Sequence, residues 1–173
     1  MTDLSELTGD YVLDPAHTRI GFVARHTMAT RVRGHFDEFE GEAHLNGDHP
    51  SKSAARLTIQ AKSIQTGNPQ RDDLLRERFL NAADHPAITF IAAEVEQTGE
   101  TAFKVTGDLG IRGMVRPVTV DVELTGENGG RAGFRGGVTL DRNDWGVNWN
   151  AATKAFISPK VTVEFDIAAT RRP

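Results

Sequence analysis

The amino-acid sequence predicts an all-β domain: eight antiparallel strands closed into an extended up-and-down barrel, with one short helix between the third and fourth strands. Three observations carry that expectation. Eight stretches alternate apolar and polar residues with a period of two. The connections between most of them are short, which forces antiparallel pairing, because parallel neighbours need a crossover of about a dozen residues. One segment has helical spacing instead.

The first stretch runs from Thr18 to His26, with Ile20, Phe22 and Ala24 on one parity and Arg19 and Arg25 on the other, as a strand with one wet face requires. The second carries Val32, Gly34 and Phe36, then Phe39, Gly41, Ala43 and Leu45. The parity changes at Asp37-Glu38, which predicts a β-bulge there. The third is Ala55-Leu57-Ile59-Ala61. Asn68 can then cap a helix with Pro69 at its first position, and Leu74, Leu75 and Phe79 share a face up to about Leu80. Asp72 and Asp73 suit the positive end of that helix, and His85-Pro86 stops it. The remaining strands are centred on Ile88-Phe90-Ala92, Phe103 to Ile111, Val118 to Leu124, Phe134 to Leu140 and Val161 to Ile167. Turn signals separate them at Asn46-Gly47-Asp48, Gly99-Glu100, Arg112-Gly113 and Asn128-Gly129-Gly130. Asp141 to Ser158 lacks clean alternation and reads as a long loop.

Eight strands with one dry face each fit either a sandwich or a barrel. Strands of about 8–10 residues, longer than the usual ~5–6, favour a tall barrel, and closure removes the sticky edges of an open sheet. The inward parity contains Ala24, Gly34, Gly41, Ala43, Ala55, Ala61, Ala92, Gly107 and Gly136. Small residues at those positions leave room for a ligand, or else mark bends and close sheet packing.

Composition narrows the functions. The 173 residues suffice for a single domain, taken here as 1–173. A formal charge of −4 argues against a nucleic-acid partner. The absence of cysteine removes disulfides, thiolate catalysis, iron–sulfur clusters and cysteine-ligated zinc. No apolar run reaches the ~18 residues of a membrane span, and Met1 to Leu7 lacks the basic and apolar regions of a leader, so the expectation is a cytoplasmic protein without an integral membrane segment.

Several motifs fall in a familiar order. Tyr11-x-Leu13-Asp14-Pro15-x-His17-Thr18-x-Ile20-x-Phe22 is followed by Gly34-x-Phe36-x-x-Phe39-x-Gly41, Ser63-Ile64-x-Thr66, Arg71-Asp72-x-Leu74 with Phe79-Leu80, Pro86-x-Ile88-x-Phe90, Gly107-Asp108-Leu109-x-Ile111-Arg112-Gly113 and Arg142-x-Asp144-Trp145-Gly146-Val147. Over roughly residues 9 to 168 the chain resembles the YceI family of polyisoprenoid-binding proteins. The resemblance implies a lipocalin-like eight-stranded barrel whose interior is a long apolar tunnel for an isoprenoid or other lipid tail, and it suggests a homodimer. The chain departs from the family pattern at polar positions: Thr18 replaces a serine, Asp73 a histidine, Arg78 an acid, and Gly110 and Val115 threonines.

The expected ligand is therefore a long-chain isoprenoid lipid, of polyprenyl phosphate or isoprenoid quinone type, held for storage, transport or sensing, with no further cofactor. Each buried methylene contributes about 0.8 kcal/mol, so such a chain must be hidden from water. Phe22, Phe36, Phe39, Phe90, Phe103, Met114, Phe134 and Phe165 are the candidate tunnel residues, and the same residues would equally fill a solid core. Phe79 stands on the helix, which can cap one end. Trp145 and Trp149 suit a tunnel mouth, since indole offers a wide apolar face and one N–H. His26, on the inward parity, could bond a headgroup. Arg71 and Arg76 on the helix, with His17 and Thr18, are the other headgroup candidates. The alternative for the arginines is a solvated face paired with Asp72, Asp73 and Glu77.

Other chemistries fit poorly. His17, His26, His35 and His44 recur every nine residues, an odd spacing that alternates strand faces, so no metal site is expected. There is no Gly-x-Ser-x-Gly element, and Gly107-x-x-Gly110-x-x-Gly113 is not a dinucleotide fingerprint. No catalytic residue is assigned. The alternative function is a hydrolase or isomerase acting on a prenyl-type substrate, which would depend on His17 or His26; a third is a filled structural barrel for protein contact.

Overall fold

The computed structural model describes residues 4–26, 31–147 and 157–172, with backbone alone at Arg25, His26, Ile157 and Ser158. Its strands are β1 (Gly9–Leu13), β2 (Arg19–His26), β3 (Arg31–Phe36), β4 (Phe39–Leu45), β5 (Ala54–Gln60), β6 (Ile64–Gln65), β7 (Ala87–Gln97), β8 (Ala102–Ile111), β9 (Met114–Asn128), β10 (Arg131–Asp141) and β11 (Ile157–Arg171). All pairings are antiparallel. The order β1-β4-β5-β7-β8-β9-β10-β11 closes on itself, because β1 pairs with both β4 and β11. That ring is an eight-stranded barrel.

The eleven segments follow eight strand paths. β11 pairs with β2 along its first part and with β1 at its last residues, so β1 and β2 are halves of one path, interrupted by a short turn at Pro15–His17. Asp14 caps that turn through the Ala16 amide. β3 and β4 are likewise halves, broken where the bulge is expected. There the Asp37 amide donates to the Ser63 carbonyl at 3.2 Å, and the Gln60 amide to the Glu38 carbonyl at 2.9 Å. β1 itself is not among the strands expected from periodicity: five residues starting at a glycine carry too few alternations to stand out. β9 and β11 reach 15 residues, or roughly 50 Å of chain at ~3.3 Å per residue, which makes the barrel taller than expected.

Helix α1 spans Pro69–Leu74 and continues as one π-turn over Leu75–Phe79, closed by the Leu80 amide on the Leu75 carbonyl. Asn68 caps it, its side-chain oxygen accepting from the Arg71 amide at 3.1 Å. Asp72 does more than complement the helix dipole. It is 4% exposed and accepts from both the amide and the hydroxyl of Thr66. Arg71 donates back to the Thr66 hydroxyl and carbonyl, each at 2.8 Å. This knot fixes the helix across the barrel end at which β6, the β8–β9 hairpin and the turn after β10 also lie.

The buried side chains do not form one continuous core. One cluster, around Leu4, Leu7, Tyr11, Phe103, Leu124, Ala132 and Ala169, fills the end opposite the helix. Another, around Ile20, Ile59, Ala61, Ile64, Leu80 and Ile88, lies at the helix end. Val118, Val120 and Trp145 form a third on the wall. Between them, the inward residues Leu109, Val122, Val138, Leu140, Val163 and Phe165 are only half-buried, although they face the axis. The surface they expose is the wall of an internal cavity.

Candidate functional site: an apolar barrel cavity

That cavity has a volume of about 610 Å³, within the ~300–1,000 Å³ usual for small-molecule sites. It runs from Leu4, Leu7 and Tyr11 at one end to Leu74, Leu75, Phe79 and Leu80 at the other. Its wall follows from strand alternation: every second residue of each long strand points inward, and in this sequence those residues are valine, leucine, isoleucine, alanine and phenylalanine.

The small inward residues act in two ways. Ala24, Ala43, Ala55 and Ala92 line the cavity directly. Gly34, Gly107 and Gly136 instead serve close packing. A side chain starting at Gly34 would lie 2.4 Å from Phe22 Cζ, one at Gly136 would lie 2.7 Å from Phe165 Cζ, and one at Gly107 would lie 2.8 Å from Phe90 Cζ. Each ring therefore rests against the neighbouring strand, where a Cβ would otherwise push it toward the axis. The rings lie along the wall over Gly34, Gly107 and Gly136, and a Cβ there would also meet backbone, at the Gln65, Ile91 and Asp121 carbonyls respectively.

Charged residues reach the cavity at few places. Glu42 and Arg56 face each other across β4 and β5 on the outward parity, and both are exposed. Arg71 and Arg142 stand at the helix end. Arg142 follows the Asp141 cap of the turn Arg142–Trp145, is only 7% exposed, and donates to the Val147 carbonyl at 2.8 Å. Burial pushes its guanidinium below the ordinary arginine value, with Asp141 acting in the opposite direction. Trp145 anchors the same turn: its indole N–H donates to the Leu109 carbonyl at 2.9 Å while its rings face the cavity.

Of the aromatic residues expected to line a tunnel, Phe22, Phe36, Phe79, Phe90, Phe103, Phe134, Trp145 and Phe165 do line the cavity. Phe22 and Phe36 meet at a centroid distance of 5.8 Å. Phe39 packs against the helix-end cluster and does not line the cavity. Met114 opens the hairpin strand β9, is 41% exposed and does not line the cavity: it stands at a strand end, outside the alternating run that starts at Val118. Trp149 and the side chain of His26 lie outside the described residues.

Three of the four other headgroup positions do not line the cavity. Arg76 gives its guanidinium to the carbonyls of Lys62 and Ile64 and to Asp73, which fastens the helix. His17 is 67% exposed and pairs with Asp14 at 2.8 Å on the outer surface. The Thr18 hydroxyl accepts from the Ala168 amide at 3.0 Å, which the break between β1 and β2 leaves without a strand partner, and donates to the Ala168 carbonyl, which also takes the Asp14 amide. Arg71 alone of the four lines the cavity. Leu4, Leu7, Tyr11 and Arg142 line it without having been anticipated. The Leu4-x-x-Leu7 spacing just ahead of Gly9 is the signal that could have revealed the first two. Among the described residues no cluster of His, Asp or Glu is arranged to hold a metal ion, and no helix is long and apolar enough to cross a membrane.

Fold and cavity together define a hollow, lipocalin-like antiparallel barrel with a greasy interior. The chain belongs to the YceI-like domain family, whose model matches residues 11–169. It is 32% identical to a UPF0312 protein of Azotobacter vinelandii over 149 residues, covering 82% of this chain and 78% of the relative. A UPF0312 protein of Pseudomonas aeruginosa is 34% identical over the same shares. Among solved structures, Burkholderia cenocepacia BcnA superposes with a TM-score of 0.85 at 24% identity, covering 91% of this chain and 99% of that one. A polyisoprenoid binding domain from Saccharophagus degradans, implicated in plant cell wall breakdown, superposes with a TM-score of 0.78 at 18% identity, covering 94% and 98%.

Proposed function

We propose that this protein binds a long-chain isoprenoid lipid, of polyprenyl phosphate or isoprenoid quinone type, in the barrel cavity, and holds it without chemical turnover for storage, transport or sensing. The observation that carries the reading is the 610 Å³ cavity walled by apolar side chains along the whole barrel. At about 0.8 kcal/mol per methylene, an enclosed chain of a dozen carbons would gain roughly 10 kcal/mol over its exposure to water, before the cost of ordering it. Family membership and the polyisoprenoid binding description of the Saccharophagus degradans neighbour support the same ligand class.

The cavity's polarity suggests an orientation. Arg71 and Arg142 stand at the helix end and suit a phosphate or a carbonyl-bearing ring, whereas the opposite end is closed by leucine, phenylalanine, alanine and Tyr11, whose hydroxyl is taken by Arg171. The headgroup therefore sits beneath helix α1 and the tail points away from it. Organic extraction of purified protein, followed by titration with isoprenoid quinones and prenyl phosphates, tests the proposal. Recovery or uptake of such a lipid at one per barrel is expected; repeated extraction of nothing, with no uptake of either class, overturns it.

A further inference from the structure

The end of the cavity opposite helix α1 is narrowed by the strand residues Tyr11, Phe103, Leu124, Ala132 and Ala169, but they do not close it alone. It is stopped by a separate piece of chain, the single turn Ser5–Leu7 with the preceding Leu4. Leu4 and Leu7 turn inward, are 8% and 7% exposed, and line the cavity beside Tyr11, Phe103 and Ala169. We propose that Leu4 and Leu7 form a floor that sets the longest lipid tail the barrel accepts, an inference that rests on the lipid-binding reading above.

Two features make this segment a floor and not a loosely draped terminus. First, it is clamped. Arg171, at the end of β11, donates to the Glu6 carbonyl and to the Tyr11 hydroxyl, the latter at 3.0 Å, with its guanidinium 5.5 Å from the Tyr11 ring centre. The Gly47 amide donates to the Thr8 hydroxyl at 2.9 Å. The Leu4 carbonyl presses so closely on Gly47 that a Cβ there would lie 1.6 Å from it, so the segment is seated where only glycine admits it. Second, the two side chains the segment turns to the cavity are both leucines, so it discriminates by length and not by chemistry. A tail that stops short leaves apolar surface unburied, and one that is too long must fold back or stay in water. Each methylene so excluded costs about fourfold in affinity, the equivalent of ~0.8 kcal/mol.

The test compares the full chain with the double variant Leu4→Ala/Leu7→Ala, which deepens the cavity, and with Ala43→Leu, which fills it from β4 near the same end. Each is titrated with a ladder of prenyl phosphates graded by single isoprene units, and binding is read by native mass spectrometry. The wild type is expected to show a sharp upper limit of length. The double variant should move that limit up by at least one unit, with a tenfold or greater gain for the first excluded member. Ala43→Leu should move it down. If the wild type binds the ladder but the limit stays fixed in both variants, the floor is refuted and the lipid reading stands. If the wild type binds no member, both fall together.

Discussion

Phe22 and Gly34 are direct cross-strand partners on β2 and β3, and the Phe22 ring occupies the space in which a Gly34 side chain would begin, with Cζ and Cε1 at 2.4 and 2.8 Å from that point. Phe165 and Gly136 repeat the relationship between β11 and β10. In each pair the aromatic ring is laid against the wall over a partner that has no Cβ. Replacing Gly34 by alanine should therefore destabilise the protein by about 1–3 kcal/mol, the usual cost of overpacking, and reduce lipid capacity. Phe22→Leu in the same background should restore part of both, the Gln65 carbonyl at 2.9 Å from the same point keeping the rest of the cost. Urea unfolding and stoichiometric lipid titration of the three variants check this; equal stability of wild type and Gly34→Ala would contradict it.

Alternation along the strands made the barrel legible, because a half-buried strand writes its inward face directly into the sequence. The aromatic lining was legible for the same reason, as Phe22, Phe90, Phe134 and Phe165 fall on the inward parity. Long-range partners were not. Nothing adjacent in sequence says that Thr18 answers the backbone of Ala168, or that Arg171 reaches Glu6. Leu4 and Leu7 belong to an isolated turn with no period to detect, and Arg142 is inward only because a short turn after β10 rolls it there. Nor was it legible that Arg76 anchors the helix, giving its guanidinium to the carbonyls of Lys62 and Ile64.

The Thr66–Asp72–Arg71 knot should carry the helix. Asp72→Ala removes two hydrogen bonds to a buried carboxylate and deprives Arg71 of its relay through Thr66. Hydrogen bonds to charged groups contribute about 1.5–3 kcal/mol each, so a loss of roughly 3 kcal/mol is expected, together with faster amide exchange across residues 69–79. Unchanged exchange in that segment would show that Arg76, Leu75 and Leu80 hold the helix without the knot.

The Asp14–His17 pair should be felt in acid. The hydrogen bond from His17 holds the Asp14 carboxyl below its ordinary value of 3.8, with the Ala16 amide and Arg131 acting in the same direction against some desolvation. A depressed folded-state value means that the unfolded chain takes up the proton more readily. The contribution is therefore complete above the ordinary aspartate range and lost as pH falls through the folded value. The stability difference between wild type and Asp14→Asn should accordingly shrink as pH falls through the depressed Asp14 value and vanish below it. A difference that grows on acidification would reverse the assignment.

His17 also separates binding from turnover. It sits on the outer surface, so His17→Ala should leave lipid affinity within about twofold, a change of less than ~0.5 kcal/mol. Equilibrium titration with a prenyl phosphate measures this. A large loss, or a product that forms in the wild type and vanishes in the variant, would revive a prenyl-directed enzyme.

Trp145 gives an optical report from within. Its indole lines the cavity and is fixed by the Leu109 carbonyl, so in a Trp149→Phe background its emission should respond to a quinone ligand by quenching. An emission indifferent to saturating quinone would place the ligand elsewhere.

The most direct test is whether the bore is the binding site. Ala24 lines the cavity from β2, and Ala24→Trp would block it with little change to the outer surface. Native mass spectrometry of wild type and Ala24→Trp after incubation with the same isoprenoid lipid should show a one-to-one adduct on the wild type and none on the folded variant. An adduct of equal abundance on both would contradict the account.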